Sequence, residues 1–222
     1  MRPERTINIC FHGIGEPGRA LEPGESTYWI TPDQYLRTLD ELAALQNVRI
    51  SFDDANASDA EIGLGPLLDR NLTATFFALA GRIGRAGSLD ADQLRHLRAS
   101  GMSIGTHGMD HRPWTALASA ERHRELVVAR ETLSDIVGTG IDQAALPLGR
   151  YNRVLLKELR RLGYARVHTS DRTWASPDSW LQPRFSARRD DTLEAMHRTV
   201  LTAPNLTTQM RNRAVGFAKR LR

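Results

Sequence analysis

Two adjacent aspartates and two histidines four residues apart are the residues of this sequence best suited to chemistry. Asp53 and Asp54 end the apolar run VRISFDD, and His107 and His111 lie in THGMDH. Two imidazoles and one carboxylate can hold a divalent metal ion and leave positions open for water and substrate. The second carboxylate would then stay free to act as a base. The alternative is that the two histidines only cap carbonyl groups of a loop.

The end of a strand is where two neighbouring acids can reach the same site. Successive side chains on a strand point to opposite faces, but the pleat ends at the strand tip. Polar residues close other apolar runs as well, with His12 towards the end of the first run and Ser170 and Asp171 at the end of the sixth. Burying unpaired polar groups is costly, so this recurrence predicts a functional rim.

Seven apolar runs alternate with helical patterns along the chain. Strands are predicted over residues 6–14, 48–52, 73–79, 102–107, 143–149, 165–170 and 181–187. Helices are predicted to begin at the N-cap residues Thr31, Ser58 and Asp90, with Glu61 completing a capping box for Ser58. This alternation predicts a single α/β domain with a parallel sheet. A closed barrel and an open doubly wound sheet both fit the pattern.

Composition and charge limit the classes of function. The 222 residues are 41% hydrophobic and 25% charged, as in ordinary globular domains. No run of about 18 apolar residues is present, and the first residues lack a secretory pattern, so a cytoplasmic location is expected. The single cysteine, Cys10, excludes an internal disulfide and a cysteine-rich zinc site.

The net charge of +4 does not indicate a nucleic-acid partner. The arginines are mixed with acids along the predicted helices, which favours a solvated surface. Residues 206–222 are the exception because they carry basic residues and no acid. This segment is predicted to be a helix or tail after a barrel at residues 1–205; the alternative is weak association with a membrane surface, peripheral to it. No pattern predicts an oligomeric state.

Three motifs, SFDDA, HGMDH and LPLG, resemble in order and spacing the first three motifs of the polysaccharide deacetylases (carbohydrate esterase family four, the NodB-homology enzymes). The resemblance runs from His12 to about Arg184. It implies a distorted (β/α)7 TIM-like barrel and a metal-dependent hydrolase that removes N-acetyl groups from an acetamido sugar in an oligo- or polysaccharide or a glycoconjugate intermediate. The alternatives are an O-acetyl esterase or small-amide hydrolase on the same barrel, and an inactive sugar-binding domain.

The resemblance also implies roles for the metal ligands, the base and the groove. Asp53 matches the general base, while Asp54, His107 and His111 match the ligands of a metal that is usually zinc, with cobalt, nickel or manganese as alternatives. The LPLG motif is expected to line the substrate groove through Pro147, Leu148 and Gly149. The backbone N–H of Leu148 would help to hold the oxyanion.

Two further roles follow from how the motifs vary. ICFHGIG resembles the motif of a subgroup, including poly-N-acetylglucosamine deacetylases, that carries the acid histidine on an N-terminal strand, so His12 is the predicted general acid. Ala145 stands where the family often has an arginine that orients the base, and Arg184 is the predicted replacement from another strand.

Trp174, and with it Trp114 and Trp180, could stack on sugar rings or pack within the protein.

Overall fold

The computed structural model describes residues 5–201. Eight parallel strands form one sheet in the order β7-β6-β5-β4-β3-β2-β1-β8. The strands are β1 Ile7–Phe11, β2 Val48–Asp53, β3 Ala74–Ala78, β4 Ser103–Thr106, β5 Gln143–Ala145, β6 Arg166–Thr169, β7 Leu181–Pro183 and β8 Phe185–Ser186. The predicted segment 206–222 lies outside the described residues, so the proposed boundary after residue 205 stays a prediction.

Seven α-helices accompany the strands in the part of the chain that the structure describes. They are α1 Pro32–Ala43, α2 Leu64–Asp69, α3 Ala91–Ala99, α4 Ser119–His123, α5 Ala129–Val137, α6 Arg153–Arg161 and α7 Leu193–Met196. Three π-helical stretches adjoin them, Asp59–Gly63 before α2, Arg124–Val128 between α4 and α5, and His197–Leu201 after α7. Among residues 5–201, no helix is both long and apolar enough to cross a membrane.

The sheet is nearly closed into a barrel, which confirms the predicted α/β barrel in one domain and excludes the open sheet. The last predicted strand, 181–187, is divided. Its first half pairs with β6 and its second half with β1, so β7 and β8 join the two ends of the sheet. Arg184 is the residue between the halves. Asn8 of β1 holds the junction, because its amide donates to the Gln182 side chain and to Pro183 O at 3.0 and 2.9 Å.

Alternate strand residues face the helices and the barrel interior. Ile7, Ile9, Ile50, Phe52 and Phe76 pack in the main core, against apolar residues of the helices. The remaining positions face inward, and below the site they are mostly small or polar. Within the strands, the apolar residues thus form the outer face of the barrel and the small or polar residues form the inner face.

Helix capping follows the sequence at two of three predicted positions. Thr31 accepts a hydrogen bond from the Gln34 backbone N–H, and Asp90 forms a complete capping box with Gln93. The predicted box of Ser58 and Glu61 is wrong. Ser58 has helical dihedral angles and makes no cap, because its hydroxyl instead accepts a hydrogen bond from the Ile14 backbone N–H at 3.2 Å.

Candidate active site

The carboxyl ends of the strands surround a cleft of about 330 Å³. Asp53 ends β2, Asp54 follows it, and His107 follows β4, which places all three at one mouth. His111 reaches the same place from the loop after β4. The lining of the cleft comprises His12, Glu22, Pro23, Gly24, Glu25, Tyr28, Asp53, Asp54, His107, His111, Leu146, Leu148, Gly149, Ser170, Arg184 and Ser186.

Asp54, His107 and His111 form a compact set of metal-binding atoms. Asp54 Oδ1 lies 3.7 Å from His107 Nε2 and 3.6 Å from His111 Nε2, and one ligand atom from each residue lies within 4.8 Å of the others. These separations suit three ligands around one ion with bonds of about 2 Å. The structure therefore brings together the three residues predicted as metal ligands.

Hydrogen bonds on the far side of each imidazole fix its orientation. His107 Nδ1 donates to Ala145 O at 2.9 Å, and His111 Nδ1 lies 2.7 Å from Glu22 Oε2. When both Nδ1 atoms carry the proton, both Nε2 lone pairs face Asp54. Burial lowers the pKa of His107 to about 4, although the nearby aspartates oppose this. The ring is therefore neutral near pH 7, as a metal ligand must be.

The Asp54 carboxylate tests whether these residues suit a cation. Asp54 is 1% exposed, and its Oδ1 has no hydrogen-bond donor among the described residues. Burial raises its pKa, but the charges of His111, His12 and His107 outweigh burial and lower it. An ionised buried oxygen without a donor is costly, and a divalent cation at this point would satisfy it. The residues fit a metal ion.

A second potential ligand set is less suited to a metal. Cys10 Sγ, a ring nitrogen of His12 and an Asp53 oxygen also lie within 4.8 Å of one another. Burial raises the pKa of the Cys10 thiol well above its ordinary value, which disfavours the thiolate that binds metals. Both Asp53 oxygens already accept hydrogen bonds from Arg184. The Asp54 set is thus the better candidate.

Arg184 makes a two-point ion pair with Asp53. Its two terminal nitrogens donate to the two carboxylate oxygens at 2.7 Å each, and one also donates to Ser51 Oγ at 3.0 Å. Asp53 and Arg184 are both 3% exposed. Burial would raise the pKa of Asp53, but the charge of Arg184, with that of His107, lowers it well below its ordinary range. Asp53 is therefore ionised and held in one orientation.

His12 is the residue that follows β1, and its side chain lies beside the two carboxylates. Its ring stacks on Tyr28 with 4.8 Å between centroids and 25° between planes. Its Nδ1 is buried and has no hydrogen-bond partner within residues 5–201. The ring lines the cleft next to Asp53 and Asp54, as expected for a residue that acts on a bound ligand.

The LPLG segment contributes a strained turn to the rim. Pro147–Gly149 form a 3₁₀ turn in which Leu148 has φ 55° and is 55% exposed. Leu148 and Gly149 line the cleft, whereas Pro147 is buried and supports the turn from outside the lining. Asp54 and His111 share the positive φ, at 79° and 56°. Such strained residues concentrate at functional sites, where the surrounding structure holds them.

The predicted sugar-stacking tryptophans do not reach the cleft. Trp174 packs against the main core and donates its indole N–H to Val200 O at 2.7 Å. Trp180 donates to Tyr164 O and packs against a smaller group of buried apolar residues that includes Tyr164 and Val167. Trp114 is 1% exposed and its indole N–H faces Glu125. Each indole N–H finds an acceptor inside the protein, so the packing alternative describes all three.

Two acidic residues of the site are absent from the sequence prediction. Glu22 orients His111 and lies in the loop after β1. Glu125, 1% exposed, accepts hydrogen bonds from the backbone N–H groups of Met109 and Asp110 at 2.7 and 3.2 Å and so shapes the loop that carries His111. Glu125 follows α4 in a stretch that reads as an ordinary helix. The only sequence feature that could have indicated one of these two residues is the polar composition of the loop around Glu22.

Asp59 is a further buried carboxyl group near the site. Burial raises its pKa well above the ordinary value, and the charges of Asp54 and Asp53 raise it further. The Asp59 carboxyl group therefore keeps its proton to higher pH than an exposed aspartate does.

Comparison with known proteins identifies the family of this chain. A family model described as polysaccharide deacetylase matches residues 44–167, more than half of the chain. The chain belongs to the polysaccharide deacetylase family. The Bacillus subtilis (strain 168) protein YxkH, which is assigned to the polysaccharide deacetylases, is 24% identical over 192 residues that cover 80% of this chain and 68% of YxkH.

One further relative and one solved structure are also similar to this chain. The chitooligosaccharide deacetylase of Rhizobium leguminosarum bv. trifolii is 27% identical over 157 residues, which cover 68% of this chain and 71% of that protein. The Streptococcus pyogenes deacetylase PplD, solved in complex with acetate, superposes with a TM-score of 0.76 at 19% identity, covering 89% of this chain and 99% of PplD. At that identity the superposition supports the fold.

Replacing Arg184 tests its control of Asp53. Because Arg184 lowers the pKa of Asp53, Arg184→Gln should raise that pKa and move the acid limb of the kcat/KM profile to higher pH, with roughly a tenfold or greater loss of turnover near pH 7. Arg184→Lys keeps the charge without the two-point contact and should shift the limb less. Deacetylation followed across pH, with circular dichroism to verify folding, measures this. An unchanged profile and turnover in Arg184→Gln would disprove the assignment.

Replacing Glu22 tests the orientation of His111. Glu22→Ala removes the acceptor at Nδ1 and should weaken metal affinity by about 10- to 100-fold, the usual effect of removing an outer-shell partner. Glu16→Ala removes an exposed acid from the same loop and should leave affinity unchanged. Competition with a fluorescent chelator gives both affinities. Equal losses in the two variants would show that Glu22 acts only through the loop.

Proposed function

We propose that this chain is a metal-dependent deacetylase that hydrolyses the N-acetyl group of an amino sugar in an oligo- or polysaccharide. The observation that carries the proposal is the division of labour between adjacent aspartates. Asp54 faces two oriented imidazoles with an unpartnered oxygen, whereas Asp53 is held by Arg184 away from that role. Family membership supports deacetylation, and the relative named for chitooligosaccharides supports an N-acetylated saccharide as substrate.

A divalent ion would be held by Asp54, His107 and His111, and we propose zinc, with cobalt, nickel and manganese as alternatives. When bound, such an ion polarises a carbonyl oxygen and lowers the pKa of water. The imidazole nitrogens favour a transition metal over magnesium or calcium. The chain supplies the remaining functions of the reaction.

Asp53 acts in this proposal as the general base. It is ionised at neutral pH, and its two-point contact with Arg184 fixes the carboxylate at the cleft. As water attacks the acetyl carbonyl, Asp53 accepts a proton from it. Positioned proton transfer of this kind contributes roughly 10²- to 10⁴-fold in rate.

The tetrahedral oxyanion is stabilised from the LPLG turn. The Leu148 backbone N–H donates no hydrogen bond within residues 5–201, and Leu148 lines the cleft. A donor placed at a developing oxyanion is worth about 10²- to 10³-fold in rate. Leu146 and Leu148 also give this wall an apolar surface that can contact the acetyl methyl group.

His12 acts as the general acid. Its ring is held by Tyr28 at the edge of the cleft near Asp53. Protonated His12 transfers its proton to the sugar nitrogen as the C–N bond breaks, and acetate and a free amine are released. Under this proposal the chain belongs to the subgroup that carries the acid histidine on an N-terminal strand.

We also propose a cytoplasmic location with peripheral contact to a membrane.

Ala145 is the feature that would favour an inactive sugar-binding domain. In the proposal Arg184 takes the place of the missing arginine, because its guanidinium pairs with Asp53 although β5 provides none. An O-acetyl ester differs from an amide in having a better leaving group, so it would depend less on His12. Activity on esters therefore serves as a diagnostic for the acid.

Acetate release from a panel of N-acetylated oligosaccharides, an O-acetylated sugar and a small acetamide tests the proposed function. We expect release from the oligosaccharides, abolition by a chelator and recovery on adding metal. Asp53→Asn should lose about 10²- to 10⁴-fold in kcat with metal still bound, while Asp69→Asn, an exposed acid at the end of α2, should match the wild type.

The same panel separates the alternatives. His12→Gln should lose activity on the amides and retain most of any activity on the ester. Preference for the ester or the small acetamide would replace the proposed substrate class. Absence of both stoichiometric metal and acetate release would favour the inactive sugar-binding domain, and loss of metal in Asp53→Asn would mean that the two aspartates have been exchanged.

A further inference from the structure

A second cavity lies inside the barrel at the amino-terminal ends of the strands, opposite the cleft. Its volume is about 240 Å³. The strand register places Arg49 beside Asn8 and Arg166 beside Gln143, and all four residues line the cavity. The interior positions of most (β/α) barrels are filled by bulky apolar side chains. Here they leave a polar chamber that the proposed deacetylation does not use.

The chamber opens to solvent at the floor of the barrel. Ser103, at the start of β4, is exposed although it belongs to a strand, and Thr75 in the middle of β3 is half-buried. Ser51 and Arg184 line the inner end. Because Arg184 also lines the cleft, its guanidinium separates the two spaces. A ligand in the chamber would therefore enter from the side away from the deacetylation site.

The charge of the chamber is positive. Arg49 and Arg166 line it together with Arg184, and no acidic side chain belongs to its lining. Burial, followed by the charge of Arg166, lowers the pKa of Arg49, and Asp178 opposes this. The guanidinium groups of Arg49 and Arg166 line the same chamber with like charge and therefore repel each other, while the charge of Arg184 is matched by Asp53.

Much of the hydrogen-bonding capacity of these two arginines is unused. One terminal nitrogen of Arg49 donates to Pro177 O and Gln182 Oε1 at 3.0 and 3.3 Å. Its other guanidinium nitrogens make no hydrogen bond to residues 5–201, and the guanidinium of Arg166 makes neither a hydrogen bond nor an ion pair within the same range. The forked donors of arginine match the oxygens of a phosphate.

We propose that this chamber binds a small oxyanion, inorganic phosphate or the phosphate group of a monoester, between Arg49 and Arg166. The anion would relieve the repulsion between the two guanidinium groups and accept their free N–H groups. The Ser103 hydroxyl and the Gln143 amide can supply further donors from the wall. This site is separate from the deacetylation cleft and does not depend on the function proposed for it.

Isothermal titration of the full-length, metal-loaded protein with sodium phosphate, against sodium chloride at equal ionic strength, tests the proposal. We expect saturable binding of phosphate and a rise of Tm with its concentration. Arg166→Gln and Arg49→Gln should each weaken binding about tenfold or more. Arg85→Gln replaces an exposed arginine after β3, outside the chamber, and should bind phosphate as the wild type does.

Chelation locates the bound anion. Phosphate could bind a metal ion in the cleft, so binding that survives metal removal and is lost in Arg166→Gln supports the chamber. Binding that disappears with the metal, binding unchanged in both arginine variants, or no saturation up to about 10 mM would overturn the proposal. Glycerol 3-phosphate distinguishes the sources: comparable affinity indicates a phosphorylated metabolite or headgroup, and binding of inorganic phosphate alone indicates the free ion.

Discussion

Desolvation of two adjacent carboxylates is the constraint on which this site depends. Asp53 and Asp54 are both buried at the end of one strand, and two neighbouring negative charges cannot remain in a low-dielectric site without compensation. Arg184 compensates Asp53 through two hydrogen bonds. Asp54 has two imidazoles beside it and an oxygen without a donor, so a cation is the remaining means of compensating it. Because their charges are compensated in different ways, the two aspartates differ in chemistry although their side chains are identical.

The position of Arg184 links this compensation to closure of the barrel. The last strand changes partners at this residue, from β6 to β1, and its side chain crosses the interior to Asp53. One residue therefore lies at the closure of the sheet and also orients the base. The guanidinium also separates the cleft from the polar chamber below, so one buried side chain serves the fold, the site and the partition between two cavities.

The sequence was sufficient for features that depend on local spacing. Asp54 and His107 follow strands directly, and His111 lies four residues after His107 in the next loop, so a parallel sheet was expected to bring the three residues to one mouth. The role of Arg184 was expected from the resemblance, because Ala145 stands where the family often has the arginine that orients the base. The break of the last strand at Arg184 leaves no local signal, because both halves remain extended and only their partners differ.

Features that depend on contacts between distant segments were beyond the sequence. Glu22 and Glu125 look like ordinary surface acids, and only the folded loops bring them to His111 and its neighbours. Trp174 illustrates the opposite error. A tryptophan in a polar loop suggested an exposed platform, but the last helical turn supplies an acceptor for its indole at Val200. Tertiary hydrogen bonding decided each of these cases.

Anomalous diffraction from crystals soaked in Zn²⁺ tests the central claim most directly. The account predicts one strong peak within about 2.0–2.3 Å of His107 Nε2, His111 Nε2 and an Asp54 oxygen, with Asp53 still paired to Arg184. A peak between Cys10, His12 and Asp53, or no peak near either set, would contradict it.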